Sequence, residues 1–292
     1  MRVGLFLPSL SPLATPEFLI AYAEAAEQSG FASIWLGEHV VFLDDYASSY
    51  PYSADGRLGL PSDVGLLELF GTLTYLAAVT DRIRLGTAVC LVPQRNPVYT
   101  AKSVATADWL SGGRVDFGVG IGWLREEFAV LDMPFEQRAA VNAEYLAVMR
   151  SCWQDEVSSY EGRHYTLPPC RMYPKPVQQP HPPIYFGGET DAALRRVARH
   201  GDGWHGFNHL PDSAAASVRR LEGFLADEGR SLADVDVTVG AYLQPVQPTH
   251  LAAYRDAGVD QLVLSAFAAD PDGIRTVLGT LGDEYVDAAA RL

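Results

Sequence analysis

Residues 114–123, Arg-Val-Asp-Phe-Gly-Val-Gly-Ile-Gly-Trp, form an apolar run in which every second residue from position 118 to position 122 is glycine. The pattern predicts a β-strand from Arg114 to Ile121, and because side chains alternate across a strand, one of its faces is bare. Interior glycines weaken a strand, so a bare face is favoured where a flat ligand or another backbone lies against it. Two interpretations fit: a strand that carries a flat cofactor, and a glycine-tapered strand inside a packed barrel.

A helical pattern begins directly after this strand, at residues 124–128 (LREEF). Backbone amides at the end of a glycine-rich strand and at the start of a helix suit a phosphate group. The glycines alternate strictly instead of following G-x-G-x-x-G, and no acid at the matching βαβ position is evident. The segment therefore predicts a cofactor site with a phosphate contact, but without the dinucleotide motif.

Short apolar runs alternate with amphipathic helical patterns along the whole chain, which predicts βα units around a parallel sheet. The expected strands are Val3 to Pro8, Ser33 to Gly37, Arg82 to Cys90, Arg114 to Ile121, Pro183 to Gly187, Gly203 to Phe207, Val235 to Tyr242 and Gln261 to Ser265. The expected helices are Pro16 to Ser29, Asp63 to Val79, Pro97 to Leu110, Pro134 to Trp153, Asp191 to His200, Ser213 to Glu228, Leu251 to Ala257 and Asp270 to Ala290. Eight such units in 292 residues fit an α/β protein with a (β/α)8 TIM barrel better than an open doubly wound sheet. No linker divides the chain, so residues 1–292 are expected to form a single domain.

Two connections are too long for simple turns and are expected to form insertion loops at the C-terminal face of the barrel. The first, Val40 to Ser62, is interpreted as a lid or substrate wall, with a mobile surface insertion as the alternative. Its candidate substrate-binding residues are Phe42, Tyr46, Tyr50 and Tyr52. The second, Glu156 to Pro182, is rich in proline and predicts a rigid excursion with a small hairpin at Ser158 to Tyr165.

Composition narrows the possible partners and location. The 36 acidic residues outnumber the 22 basic ones, which gives a formal charge of −14 and argues against nucleic acid and anionic membrane as partners. No apolar run approaches ~18 residues, so no membrane span is expected. The chain shows no signal-peptide pattern, and its three cysteines form no C-x-x-C pair, so we expect a cytoplasmic protein with reduced thiols. The seven histidines show no metal-ligand spacing, and no metal site is expected.

In a barrel of this type the chemistry gathers at the C-terminal ends of the strands. Four segments are expected there: Glu38-His39, Ala88-Val89-Cys90, Gly120-Ile121-Gly122-Trp123 and Gly187-Gly188-Glu189-Thr190. His39 is the leading candidate for proton handling because imidazole titrates near neutrality, and a structural histidine is the alternative. Glu38 is a weaker candidate that would orient a neighbour or face solvent.

The pair Gly187-Gly188 places unhindered amides before a helix that starts near Asp191, a position that suits an anion. The alternative is a plain strand-to-helix turn. Two such sites at neighbouring strand ends favour a phosphate tail, to which Arg95 and Lys102 would add positive charge. Lys102 is equally well interpreted as a surface residue.

Trp123, at the end of the glycine-rich strand, would stack on a ring or wall off the substrate pocket. Packing is its alternative role. Arg114 stands at the opposite end of the same strand, on the N-terminal face of the barrel, where stability rather than catalysis is expected.

Together these motifs resemble the bacterial luciferase-like family of flavin- and deazaflavin-dependent oxidoreductases. The matching pieces are collinear and span almost the whole chain: 33–39, 85–89, 95–97, 110–114, 118–123, 173–176, 186–188 and 201–204. The resemblance is closest to the subgroup described as oxidoreductases that use coenzyme F420, a 5-deazaflavin.

The resemblance implies that the cofactor ring lies in the barrel mouth against a bulge at Ala88-Val89, where the family often has a non-prolyl cis peptide. It further implies that His39 lies near the reactive edge of the ring. Glu38 and Trp123, at the same strand ends, complete the candidate cofactor-binding residues. The phosphate and tail would reach four glycines: Gly120, Gly122, Gly187 and Gly188. The related sugar-phosphate dehydrogenases place a catalytic tryptophan and glutamate where this chain has Leu43 and Trp123, so their chemistry is not implied.

The leading hypothesis is an oxidoreductase that transfers hydride between F420 and a small organic substrate, with His39 as the catalytic residue. One alternative is an FMN-dependent monooxygenase that uses reduced flavin and O2, and another is a flavin-binding protein without catalysis. A sugar hydrolase is disfavoured because no pair of strand-end carboxylates is found. The aromatic loop favours a partly apolar, cyclic substrate, and an exposed helical face of Ala, Leu and Val predicts a homodimer, as in relatives.

Overall fold

Eight parallel strands close into a barrel in the computed structural model, which describes residues 1–61 and 63–292. Ser62, the last residue of the predicted lid loop, lies outside the described residues. In chain order the strands are β1 (Arg2–Phe6), β2 (Leu10–Ser11), β3 (Ser33–Leu36), β4 (Gly65–Leu66), β5 (Arg84–Thr87), β6 (Cys90–Leu91), β7 (Val115–Gly120), β8 (Ser158–Glu161), β9 (Thr166–Cys170), β10 (Ile184–Gly187), β11 (Gly203–Phe207), β12 (Asp236–Gly240) and β13 (Gln261–Ser265).

Helices connect the strands and cover the outside of the barrel. They are α1 (Pro16–Gln28), α2 (Leu69–Ala77), α3 (Pro97–Leu110), α4 (Arg125–Val130), α5 (Arg138–Gln154), α6 (Asp191–His200), α7 (Pro211–Asp227), α8 (Leu251–Asp256), α9 (Pro271–Leu281) and α10 (Asp287–Ala290). No helix in residues 1–61 and 63–292 combines the length and the apolar character that crossing a membrane requires.

The barrel strands follow one another as β1, β3, β5, β7, β10, β11, β12 and β13, and β13 pairs with β1. The β7–β10 pairing, with Phe117 opposite Ile184, closes the ring. Strand β6 continues the path of β5 after an interruption at Ala88-Val89 and pairs with the last residues of β7. The predicted (β/α)8 fold is therefore confirmed, and each predicted strand corresponds to a barrel strand.

The apolar core lies mainly between the strands and the helices, as outward-facing residues such as Phe117 and Val119 show. A second, smaller cluster fills the barrel interior and consists of Trp35, Tyr185 and Val263. Gly86 is required beside this cluster, because a Cβ atom at Gly86 would lie 2.2 Å from the indole of Trp35.

Polar groups hold the N-terminal face together. The Arg114 guanidinium donates to the carbonyls of Ala77, Thr80 and Ile83 at 2.9 to 3.1 Å, tying the end of α2 to β7. This structural role is the one expected for Arg114.

Three connections differ from the sequence-based expectation. Helix α2 begins at Leu69 rather than Asp63, because β4 pairs with β2 and Glu68 caps the helix by accepting the Gly71 N–H at 2.6 Å. The proline-rich excursion does contain a hairpin, but its second strand, β9, extends to Cys170. The final helix is interrupted by a π-helical turn at Gly282–Val286.

Candidate active site

The side chain of His39 follows β3 and is held by a buried carboxylate from a different part of the chain. His39 Nδ1 lies 3.1 Å from Glu127 Oε2, and Glu127, in the first turn of α4, is 0% exposed. Glu127 also accepts the Val40 N–H at 2.7 Å and the Gln94 amide at 3.0 Å. Burial acts to raise the pKa of Glu127, but the hydrogen bonds from His39, Gln94 and Val40 bring it below its ordinary value. The site therefore contains an ionised carboxylate against the histidine ring.

Sequence reasoning did not single out Glu127 as functional. The helical pattern at 124–128 located its helix, but the pattern alone gives no sign that this side chain turns toward the end of β3. The adjacent Glu126 contacts a different part of the lid loop. Its carboxylate accepts hydrogen bonds from the N–H groups of Ala47 and Ser48 and from the Ser48 hydroxyl, at 2.6 to 3.2 Å. Two consecutive acids of α4 therefore hold the lid loop, one at its root and one at its middle.

Glu38 does not face solvent but ties neighbouring elements together. Its carboxylate accepts the Leu91 N–H at 2.6 Å and forms an ion pair with Arg95. Arg95 is also paired with Glu68, and the Lys102 ammonium donates to the Tyr173 carbonyl on the surface. Both cations therefore have protein partners, and Lys102 is a surface residue, as in the alternative interpretation.

The interruption between β5 and β6 forms a bulge at the barrel mouth, and its Ala88-Val89 peptide bond is cis, as the family resemblance implied. Ala88 packs on the interior cluster together with Phe6 and Tyr242. The side chain of Val89 occupies space left by two glycines. A Cβ atom at Gly120 would lie 2.3 Å from Val89 Cγ2, and one at Gly187 would lie 3.0 Å from Val89 Cγ1.

The bare face of β7 is thus filled by protein. A Cβ atom at Gly118 would lie 1.8 Å from the Thr87 carbonyl oxygen, so the glycines admit the neighbouring strand and its bulge. Of the two interpretations of this strand, the packed barrel is correct for Gly118 and Gly120, and the expectation of a flat ligand lying directly on that face is wrong. Cofactor contacts at Gly120, Gly122, Gly187 and Gly188 remain predictions for the backbone amides.

Two glycines at the rim adopt a left-handed backbone, with φ of +77° at Gly122 and +107° at Gly188. Gly188 leads into α6, whose N-cap Thr190 accepts the Ala193 N–H at 3.2 Å. This turn presents the N-terminus of a ten-residue helix at the mouth, where an anion is stabilised.

Two arginines that sequence reasoning missed lie at the same rim. Arg138 donates to the Gly122 carbonyl at 3.2 Å and stacks on the Phe135 ring at 3.9 Å. Arg196 on α6 is half-buried, and burial together with the charge of Arg138 lowers its pKa. Within residues 1–61 and 63–292, Arg196 forms no ion pair or side-chain hydrogen bond. Two guanidinium groups beside two glycine turns have the donor chemistry that a phosphate requires.

Aromatic side chains line the mouth in a continuous belt. Neighbouring rings in the belt have centroids 4.2 to 5.5 Å apart, and the order is Trp123, Tyr50, Tyr52, Phe207, Tyr242 and Phe6. The belt joins the end of β7 to the lid and then to β11, β12 and β1. Phe6, Phe207 and Tyr242 were not predicted as site residues, since each looks like an ordinary strand residue in sequence.

The predicted substrate residues are brought together at this mouth. Trp123 lies 5.9 Å from His39 and 5.8 Å from Tyr46, measured between ring centroids, and Phe42 lies 5.3 Å from His39. A cavity of about 380 Å³ opens between Phe42, Tyr46 and Trp123 on the lid side of the belt, with Arg57 and Leu60 also lining it. Tyr50 and Tyr52 do not line this cavity: Tyr50 packs on Trp123, and Tyr52 packs on Phe207. A small organic molecule fits a cavity of this size.

A second carboxylate–histidine pair stabilises the opposite side of the mouth. Glu189 accepts the Phe207 N–H at 2.8 Å and lies 2.6 Å from His209 Nε2. The segment after β11 is therefore fixed to the turn after β10, and Phe207 keeps its place in the belt.

Below the belt, His205 lies in the barrel interior with its Nε2 2.5 Å from the Tyr242 hydroxyl. Burial lowers the pKa of His205 to about 3, so this imidazole is neutral at physiological pH. In the described part of the chain, no group of three or more His, Cys, Asp or Glu side chains is arranged to hold a metal ion.

The donors and shape of the mouth fit a flavin or a deazaflavin. The aromatic belt and Ala88 offer an apolar surface for a flat ring, while the rim glycines, Arg138 and Arg196 offer donors to a phosphate. His39 supplies an imidazole at the mouth, held by Glu127.

A family model described as luciferase-like monooxygenase matches residues 1–285 of the chain. An uncharacterized protein of Mycobacterium tuberculosis is 34% identical over 264 residues, covering 90% of this chain and 91% of that protein. The pyrimidine monooxygenase RutA of Allorhizobium ampelinum is 30% identical over 244 residues, covering 78% of this chain and 64% of RutA. A solved F420-dependent secondary alcohol dehydrogenase, in complex with an F420-acetone adduct, superposes with a TM-score of 0.78 at 16% identity, covering 99% and 98% of the two chains.

Proposed function

The chain belongs to the luciferase-like monooxygenase family of oxidoreductases, and from this premise we propose that it transfers hydride between coenzyme F420 and a small organic substrate. The observation that carries the proposal is the position of His39, whose Nδ1 is held by Glu127 at a mouth that also offers an apolar ring surface and phosphate donors. The F420-dependent alcohol dehydrogenase of the same fold supports the choice of deazaflavin.

The ring of the cofactor would lie in the mouth against Ala88 and Val89, bordered by Glu38, His39 and Trp123. Its phosphate would contact the amides of four glycines: Gly120, Gly122, Gly187 and Gly188. Arg138 and Arg196 would add charge at the same rim. When bound, a deazaflavin supplies a carbon that accepts or donates hydride and does not activate oxygen, whereas the protein orients the ring and excludes water.

His39 would handle the proton that accompanies the hydride. Its Nε2 would accept a proton from a substrate hydroxyl or amine in one direction and return it in the other. The substrate would occupy the cavity beside Phe42, Tyr46 and Trp123, with Tyr50 and Tyr52 closing the mouth. Because this wall is aromatic, the proposed substrate is partly apolar and cyclic, of a size that about 380 Å³ admits.

The test is a parallel titration of the purified apoprotein with F420 and with FMN, followed by fluorescence quenching and then anaerobic reduction. Tight binding of F420 alone, with turnover of an alcohol, carbonyl, imine or enone, is the expected result. Tight binding of FMN alone would contradict the proposal. Binding without turnover across this panel would instead favour the non-catalytic flavin-binding protein.

A second candidate function is an FMN-dependent monooxygenase, which the 30% identity to a pyrimidine monooxygenase favours. Oxygen consumption that depends on added reduced FMN, together with insertion of labelled oxygen into product, would distinguish it. The same mouth would serve either chemistry, because the ring surface and the phosphate donors are shared.

We further propose that the protein is a cytoplasmic homodimer. The outer face of α3 exposes large apolar groups, with Tyr99 79%, Trp109 57% and Leu110 62% accessible. This face is aromatic as well as aliphatic, unlike the Ala, Leu and Val face expected from sequence. Sedimentation of the wild type and of Trp109→Glu tests the dimer: only the variant should sediment as a monomer.

The proposed cytoplasmic location is supported by the cysteines. All three are free, which suits a reducing compartment.

A further inference from the structure

We propose that Glu127 is the positioning residue of His39: it fixes the tautomer and direction of the imidazole and links both to the root of the lid. This inference rests on the proposed function, since it assigns how His39 is prepared for proton transfer. It starts from the hydrogen bonds of Glu127, whose donors come from two segments: residues 39–41 after β3 and Gln94 after β6.

Three kinds of donor converge on the two carboxylate oxygens. Oε1 accepts the N–H groups of Val40 and Val41 at 2.7 and 3.4 Å, and Oε2 receives Gln94 Nε2 at 3.0 Å and His39 Nδ1 at 3.1 Å. An ionised carboxylate only accepts hydrogen bonds, so the contact with His39 requires a proton on Nδ1. With the proton on Nδ1, the neutral ring leaves the Nε2 lone pair free.

The free Nε2 is the atom that can exchange a proton with a substrate. When it gains one proton, the ring becomes an imidazolium whose charge is balanced by Glu127 across the 3.1 Å contact. When the proton returns, the ring regains the same tautomer because Glu127 has not changed partner. The carboxylate therefore keeps His39 ready in both directions without taking the proton itself.

The same carboxylate connects the histidine to the lid. Val40 is the residue next to His39, and its N–H shares Glu127 with the imidazole. Movement of the lid root that breaks the Val40 hydrogen bond therefore disturbs the acceptor that orients His39. Glu126 holds the lid farther along, at Ala47 and Ser48, and has no contact with His39 in the described part of the chain.

The two adjacent acids provide a matched pair of variants, Glu127→Gln and Glu126→Gln. The probe is the ligand-free protein labelled with ¹⁵N-histidine, with His39→Gln used to assign the His39 signals. We expect wild type and Glu126→Gln to carry the His39 proton on Nδ1, and Glu127→Gln to lose this preference in favour of Nε2–H. Amide hydrogen exchange should quicken about tenfold or more at Val40 in Glu127→Gln, and at Ala47 in Glu126→Gln.

A wild-type His39 protonated mainly on Nε2 would overturn the inference, and this outcome does not depend on whether any variant folds. An unchanged tautomer in a folded Glu127→Gln would also overturn it. These spectra need no cofactor, so they test the role of Glu127 separately from the proposed function. If the protein bound neither F420 nor FMN but showed the expected tautomer, the proposed function would be refuted and the positioning role of Glu127 would stand.

Discussion

The side chain of Val89 fills the space that a side chain at Gly120 would need: an ideal Cβ atom there would lie 2.3 Å from Val89 Cγ2. The bulge before β6 and the glycines of β7 are therefore complementary parts of one packing arrangement. The glycines allow the bulge to approach, and the bulge in turn places Ala88 at the mouth.

This relationship predicts that Gly120→Ala destabilises the protein by about 1–3 kcal/mol, the cost of overpacking a filled interior. Adding Val89→Ala should restore most of the loss, because the nearest remaining atoms, Val89 Cβ and Leu91 Cδ2, are both 3.5 Å away. Urea unfolding of the single and double variants measures both effects.

A suitable control for this pair is Gly223→Ala in α7, where no atom lies within 4 Å of the added Cβ. It should leave stability unchanged or raise it by up to ~1 kcal/mol, since alanine favours a helix. Equal destabilisation by Gly120→Ala and by the double variant would show that Val89 is not the obstacle.

A second prediction concerns His205 and pH. Its folded pKa of about 3 lies below the ordinary 6.5, so the folded state binds fewer protons than the unfolded state between these values. The stabilisation is complete above pH 6.5 and is lost as pH falls toward 3, at up to about 1.4 kcal/mol per pH unit. His205→Gln should flatten this slope in urea midpoints measured from pH 7 to 4, whereas His250→Gln, outside the barrel, should not. An unchanged slope in His205→Gln would contradict burial of a neutral ring.

A third prediction separates phosphate recognition from ring binding. Arg196→Gln should weaken FMN binding by about tenfold or more, since a hydrogen bond to a charged group contributes ~1.5–3 kcal/mol. Riboflavin, which lacks the phosphate, should bind as before. If only the deazaflavin binds, F420 and its phosphate-free ring core make the same comparison.

The neighbouring Arg195→Gln is the control for charge removal on α6, because Arg195 faces Asp227 and Phe224 instead of the rim. Ligand-free Arg196→Gln should be at least as stable as wild type, as the guanidinium is half-buried beside Arg138 without a counter-ion. Equal loss of FMN and riboflavin binding would argue against a phosphate contact.

A fourth prediction concerns Trp123, which contacts His39, Tyr46 and Tyr50. Aromatic pairs contribute about 0.5–1.5 kcal/mol each, so the loss of three contacts in Trp123→Ala should destabilise the lid by ~1.5–4.5 kcal/mol. Hydrogen exchange in residues 40–61 should quicken while exchange in β1 and β13 stays slow. Trp123→Phe, which retains a ring, should show a smaller change. Uniform quickening across the barrel would instead indicate a general loss of stability.

Much of the fold follows from local patterns. The sequences Asn96-Pro97 and Asp270-Pro271 are typical of an N-cap followed by proline in the first turn, and both side chains accept backbone N–H groups at the starts of α3 and α9. The start of α2 was wrong because it depends on the pairing of β4 with β2, more than fifty residues away in sequence. Periodicity shows which residues are apolar, but it does not show which distant strand a segment will pair with.

Only part of the site was predicted, because the sequence does not show which distant residues become neighbours. His39 stands at a strand end, which topology alone assigns to the mouth. Glu127 and Arg196 are charged helix residues, and their spacing does not reveal which of them turns inward. The glycines of β7 left two interpretations open, since the sequence does not show that the Thr87 carbonyl and the Val89 side chain take up the space beside Gly118 and Gly120.

Glu127, Glu126 and the β2–β4 pair attach the lid at its root, its middle and its far end. Between these attachments the chain is free to change length and composition while residues 39–41 keep their hydrogen bonds. Under the proposed function, substrate selectivity and proton transfer would therefore be separable properties of this scaffold. Diversifying positions 43–46 and 49–61 would then change the substrates accepted and leave the hydrogen bonds of His39 in place.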